Sequence, residues 1–231
     1  MRILWVVICQ LSLIFSDEYH MDHAQDFQGY SRNRRDADNA VKENKIFWKT
    51  QGRSTLENMI NRRENTNTAK NIILLIGDGM SLSTVTAARV MAGQRLGVDG
   101  ASHQLSWEKF PHMCLAKPYI LDALVPDSAA TAFAMFSGVK TKYYTFGYDS
   151  EIQRGSVSSM LATPPVSTVL EWAQEEGMAT GLVTTTRVTH ATPAALFAKS
   201  AHRDWECDSA MPQNTPPEVG LHTILHQSVD L

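Results

Sequence analysis

NIILLIGDGMSLSTVTAARV, residues 71 to 90, begins as an unbroken apolar run, breaks at Gly-Asp-Gly, and resumes as small and polar residues at helical spacing. A continuous β-branched run of this length suits a strand buried on both faces, as in a parallel sheet covered by helices. The break leaves Asp78 at the carboxyl end of that strand, and Ser83 to Ala92 reads as the helix that follows. The same order recurs downstream. A helix starts at Ser128 after Pro126-Asp127. Ser167 caps STVLEWAQEE, which Gly177 stops, and ATGLVTTT from Ala179 is the next buried strand. Pro193 then sits in the first turn of a helix containing AALFAKS, with Thr192 as its cap. HMCLAKPYI, residues 112 to 120, reads as an extended segment that Pro118 confines to an edge or a strand end. Tyr143 to Pro165, rich in Gly, Ser, Thr and Pro, is expected to be a long surface excursion. Such alternation predicts an α/β fold with a mainly parallel sheet flanked by helices.

The 231 residues are 43% hydrophobic and 19% charged with a formal net charge of -3, which excludes a polycation built for nucleic acid. Residues 1–16, MRILWVVICQLSLIFS, carry one basic residue, an apolar segment and a small residue, the pattern of a secretory signal peptide. The apolar run from Ile3 to Phe15 falls short of the roughly 20 residues a membrane span needs. A secreted, extracellular protein is therefore expected. Residues 17–45 are polar and irregular and read as a disordered leader; its RNRR cluster, 32 to 35, is either a processing site or a solvated charge run. The folded part is expected over 46–231, beginning with an amphipathic helix that carries Trp48, Leu56, Met59 and Ile60. Cys9 lies in the signal, leaving Cys114 and Cys207 to pair or to remain free thiols. No Asn-x-Ser/Thr acceptor occurs.

Ligands of open α/β sheets collect at the carboxyl ends of strands, so polar residues just beyond the apolar runs are the candidates. Asp78 can bind a divalent cation there, or merely satisfy backbone donors in a turn. Asp127-Ser128 puts a hydroxyl at a helix N-terminus, where unpaired N–H groups and the helix dipole suit a phosphate or other oxyanion. Ser128 is then either an ordinary N-cap or a nucleophile. With no Ser-His-Asp pattern visible, metal activation is the better account of a reactive serine. A third strand end delivers Thr189, His190 and Thr192, with Arg203 following after a short helix. Histidine and threonine can serve a metal and arginine can grip phosphate bidentately. The alternatives are a hydrogen-bonded loop histidine, a helix-capping threonine, and an arginine paired with Asp204.

Taken together, NIILLIGDGMSLSTVTAARV, VPDSAATAFAMFSGVKT and GLVTTTRVTHATPAALFAKSAHRDW closely resemble the alkaline phosphatase family in its animal form, over about residues 45 to 228. The resemblance implies a phosphate monoester hydrolase that uses Zn²⁺ and Mg²⁺. By it Asp78 bridges zinc and magnesium, Ser128 is the nucleophile and a zinc ligand, Thr192 is a magnesium ligand, and His190 stands behind the magnesium's direct ligands. Arg203 clamps the phosphate and Asp127 orients Arg203. The implied reaction is an in-line attack by the serine, giving a phosphoserine that is then hydrolysed.

The chain departs from the family at Ser81 and Ala130, where the family has glycine, and it lacks a cysteine pair common in animal members. It also resembles only the N-terminal part of the family, apparently truncated, without the metal ligands of the second part or its membrane-anchoring tail. The expectation is a chain that is weakly active or inactive alone, with a homodimer possible. The alternative is a secreted, noncatalytic half-domain that binds phosphate or metal.

Overall fold

The computed structural model describes residues 3–10, 43–98, 100–213, 215 and 223–228. Of the leader expected over 17–45, residues 17–42 with the RNRR cluster lie outside the described residues, whereas Asn44 and Lys45 already cap and begin a helix. By internal contacts the chain divides into two units, one of Met1–Leu13, Ala69–Ser81 and His112–Leu231, the other of Ile14–Thr68 and Leu82–Pro111.

The first unit contains strands β1 (Ile3–Gln10), β2 (Ile72–Asp78) and β3 (Ala179–Thr184). β2 and β3 do not pair with each other. Each pairs in parallel with β1, giving the order β2-β1-β3, with Ile8 opposite Ile76 and Val7 opposite Val183. The segment expected to be a secretory signal thus supplies the central strand. β2 is not buried on both faces. Ile76 is 6% exposed whereas Ile73 and Leu75 are 65% and 64% exposed, because side chains alternate across a strand and helices cover only the Ile76 side.

That cover comes from α3 (Ser128–Ser137), α5 (Val169–Glu175) and α6 (Ala191–Phe197), which pack on one another. Ala129, Ala132, Phe133 and Phe136 form the buried i, i+3, i+4, i+7 stripe of α3. Opposite them, α6 offers Ala191, Ala194 and Ala195, whose small side chains let the two helices approach closely. Ile76, Phe146, Leu170, Leu196 and Ile224 complete this core; Ile224 begins α7 (Ile224–Gln227).

Two capping residues differ from expectation by one or two positions. Thr168, not Ser167, caps α5: the Glu171 carboxylate accepts its N–H at 2.7 Å while its hydroxyl donates to the Leu196 carbonyl. His190, not Thr192, stands at the cap of α6, so the threonine hydroxyl is free for another partner.

Residues 143 to 165 are not a surface excursion. Thr145, Phe146, Tyr148 and Ile152 are buried, and α4 (Val157–Ala162) turns Met160 inward. Tyr148, Ile152, Met160, Ala201, Trp205 and Met211 make a second apolar cluster. Burial pushes the Tyr148 hydroxyl up to about 12. Phe146 and Ser200 exchange backbone bonds at 3.1 and 2.9 Å. Next to them Gly147 has φ 84°, and a Cβ there would stand 2.6 Å from Lys199 Cα, so only glycine fits. Turn-rich composition here marks a packed, irregular segment. HMCLAKPYI, by contrast, forms no strand and leaves Met113 and Leu115 in solvent.

The second unit holds α1 (Lys45–Ile60) and α2 (Leu82–Arg95). Asn44 caps α1, accepting from the N–H groups of Ile46 and Phe47. The helix is as expected but its amphipathic burial is not: Trp48, Leu56, Met59 and Ile60 are all exposed. Arg89 of α2 reaches both oxygens of Glu108, whose Oε2 also accepts the Leu105 N–H at 2.8 Å. Cys114 and Cys207 are free thiols.

Phe133 is fully buried between α3 and α6. Truncating it to alanine should cost about 3–5 kcal/mol of stability, read from the urea unfolding midpoint. A loss below about 1 kcal/mol would contradict the packing described.

Candidate active site

The end of β2, the starts of α3 and α6, and a turn after α6 deliver the polar residues. β2 ends in Asp78, and Gly79 at φ 69° turns the chain away immediately afterwards. The Thr192 hydroxyl in the first turn of α6 donates to Asp78 Oδ2 at 2.5 Å, bringing together residues 114 apart in sequence. These two oxygens are a donor set suited to a hard divalent cation. Among the described residues, no three His, Cys, Asp or Glu side chains converge as a metal site. Asp78 and Thr192 therefore fit part of a divalent-cation site, and among the described residues the four ligands of a closed tetrahedral site are not assembled.

Ser128 is not the helix cap. Asp127 is: its carboxylate accepts from Ala129 N at 3.0 Å and Ala130 N at 3.4 Å. The backbone donors expected to face an anion through Ser128 are thus taken by the neighbouring carboxylate, and the serine hydroxyl is released from capping. Its oxygen accepts instead from Arg203 Nη1 at 3.0 Å. The same nitrogen donates to Asp127 Oδ2 at 3.1 Å. Arg203 is not a partner of Asp204.

Asp127 is almost wholly buried and also accepts the Tyr144 N–H on its other oxygen at 3.1 Å. One carboxylate thereby fixes the start of α3, the turn at Tyr144 and the guanidinium. A charge buried with this many donors is well compensated, and a guanidinium held by one edge keeps its remaining donors for an oxyanion.

His190 is close to the clamp, with Nε2 3.5 Å from Arg203 Nη2. Its Nδ1 is buried without a hydrogen-bond partner among the described residues. Burial, then the charge of Arg203, holds this imidazole below the usual histidine range, so it is neutral at neutral pH. An orphaned nitrogen on a ring that feels the Asp78 charge is compatible with a metal's surroundings.

Against the alkaline phosphatase family profile, residues 69–231 match. The chain belongs to the alkaline phosphatase family. It is 45% identical over 185 residues to the tissue-nonspecific alkaline phosphatase of Gallus gallus, covering 80% of this chain and 35% of that one. To alkaline phosphatase 4 of Drosophila melanogaster it is 43% identical over 197 residues, covering 80% and 31%. Among solved structures it is similar to alkaline phosphatase from the Antarctic bacterium TAB5, at 28% identity and a TM-score of 0.48, covering 62% of this chain and 36% of that one. The chain spans about a third of the length of the curated alkaline phosphatases it matches.

Six of the seven residues singled out in the sequence fall into two clusters, Asp78 with Thr192, and Asp127, Ser128 and Arg203 with His190 at its edge; the seventh, Thr189, bonds Glu206 instead. Sequence reasoning missed Glu206. Its carboxylate accepts from Arg187 Nε and Nη2 at 3.0 and 2.7 Å and from the Thr189 hydroxyl, tying the segment before α6 to the segment that carries Arg203. No local pattern flags an acid 19 residues from its arginine.

The Arg187 hydrogen bond, more than the one from Thr189, holds the Glu206 carboxyl below the ordinary glutamate range. A depressed carboxyl stabilises the fold above its unfolded value and loses that stabilisation as pH falls through its folded value. Glu206→Gln should therefore lower the unfolding midpoint at pH 7 and flatten the midpoint's decline below the ordinary glutamate range. Equal pH dependence of variant and parent would contradict the assignment.

Proposed function

We propose that this chain forms the nucleophile and phosphate clamp of a metal-dependent phosphate monoester hydrolase. The observation that carries this is the single Arg203 nitrogen that contacts both the Ser128 hydroxyl and the carboxylate capping its helix. Arg203 binds phosphate oxygens with its free donors. Asp127 keeps the guanidinium from turning away. The Ser128 oxygen then lies beside the clamped phosphorus and attacks it in line: a bond from serine oxygen to phosphorus forms, the bond to the leaving alcohol breaks, and the alcohol departs with a proton. Water later cleaves the phosphoserine, releasing phosphate and restoring the hydroxyl.

A hydroxyl of ordinary acidity is a poor nucleophile, and Arg203 donates to it without removing its proton. Asp78 and Thr192 would hold Mg²⁺, with His190 behind them, and Asp78 and Ser128 would contribute to a Zn²⁺ site. Such ions supply Lewis-acid activation of the serine and stabilise charge on the attacking and leaving oxygens. A mainly parallel sheet flanked by helices, secretion directed by residues 1–16, and a homodimer belong to the same reading. The first sixteen residues cannot serve twice in one molecule. A chain that keeps them uses Ile3–Gln10 as its central strand, and a processed chain leaves the facing edges of β2 and β3 in need of another strand.

A second reading, phosphate binding without turnover by residues 1–231 alone, is favoured by the donor set, since the described residues do not converge on a complete metal site. Calorimetric titration with inorganic phosphate and an aryl phosphate assay with added Zn²⁺ and Mg²⁺ separate the two. Arg203→Ala should weaken phosphate binding at least about tenfold, the loss of a charge-assisted hydrogen bond. Hydrolysis by the chain should barely exceed that of Ser128→Ala. Unchanged affinity in Arg203→Ala would refute the clamp, and strong turnover that disappears with Ser128→Ala would refute the inactivity of this chain.

A further inference from the structure

Among the described residues Tyr144 is the one non-glycine residue with a positive φ, at 68°. Left-handed backbone is disfavoured for an aromatic residue and persists only where surrounding contacts over-determine it. Here they do, and they belong to the clamp. The Tyr144 N–H donates to Asp127 Oδ1 at 3.1 Å, and its carbonyl accepts the Arg203 N–H at 2.8 Å. Its ring centroid lies 5.4 Å from Arg203 Cζ, within cation–π range. Tyr143 stacks on that ring at 4.4 Å with an interplanar angle of 21°, and His202 meets it edge-on at 5.4 Å.

We propose that Tyr144 is a positioning residue of the oxyanion clamp. Its left-handed backbone sets the separation between Asp127 and Arg203, and its ring fixes the guanidinium beside Ser128. No other described residue bonds through its backbone to both partners of that ion pair. The strain is then a functional expense borne for geometry at Arg203. The proposal rests on the reading that Arg203 and Ser128 bind phosphate.

Glycine adopts φ 68° without strain but leaves the guanidinium unstacked, whereas phenylalanine keeps both the strain and the ring. The two variants therefore separate positioning from packing. In the full chain, inorganic phosphate affinity is measured by calorimetry alongside the urea unfolding midpoint. Tyr144→Gly should bind phosphate about fivefold more weakly, the loss of one cation–π contact, with its midpoint equal to or above the parent's. Tyr144→Phe should stay within about twofold of the parent in affinity, because its ring face is retained. A glycine variant that binds phosphate as the parent does, or whose affinity and midpoint fall together, overturns the positioning role. A parent chain that binds no phosphate overturns the clamp reading itself, and Tyr144's role with it.

Discussion

The ion pair between Asp127 and Arg203 holds the site together, because each of its ends does a second task. The Asp127 carboxylate satisfies the first free N–H groups of α3 and the N–H of Tyr144. The Arg203 nitrogen that reaches it also reaches Ser128. Residues 127, 144 and 203 lie far apart in the chain, so this junction exists only once the helices have packed. Removing either charge leaves the other largely buried without its partner, which is costlier than losing an exposed pair.

Packing of small residues makes that junction possible. Alanines on α3 and α6 let the two helices approach closely, and the sheet under them orients the ends of β2 and β3. Asp78 at the end of β2 then meets Thr192 at the start of α6. The two clusters thus share one support: α3 carries Ser128, and α6, packed against it, carries Thr192. A cavity in this interface would disturb both.

Much of the arrangement was legible in the sequence where signals are local. β2, α2, α3, α5, β3 and α6 all appear where apolar runs, helical spacing and breakers put them, within a few residues. Asp78, Asp127, Ser128, His190 and Thr192 lie at element ends and Arg203 in the turn-rich segment after α6, which is why they could be singled out. Features set by distant partners were not legible. Whether Asp127 or Ser128 caps α3 depends on which side chain folds back on the helix, and Arg203 pulls Ser128 away from that task. The stretch 143 to 165 has the composition of a loop, yet it is buried because Ser200 pairs with Phe146 and Trp205 packs against its side chains. The apolar run of β2 suggested two covered faces, and nothing in the run itself tells that one face stays bare. Tyr144 gave no warning of a left-handed turn, since glycine or asparagine is the usual marker.

The chain belongs to the alkaline phosphatase family and spans about a third of its curated relatives, and phosphate is the ligand proposed for the Asp127, Ser128 and Arg203 cluster. The central claim is that Asp127 acts on an anion through Arg203. A double-mutant cycle on phosphate affinity tests it most directly, with Asp127→Asn, which keeps a capping side chain while removing the charge, and Arg203→Ala. If the aspartate works through the arginine, its substitution should cost affinity only while Arg203 is present, with a coupling of about 1 kcal/mol or more. Effects that add within about 0.5 kcal/mol would contradict that account.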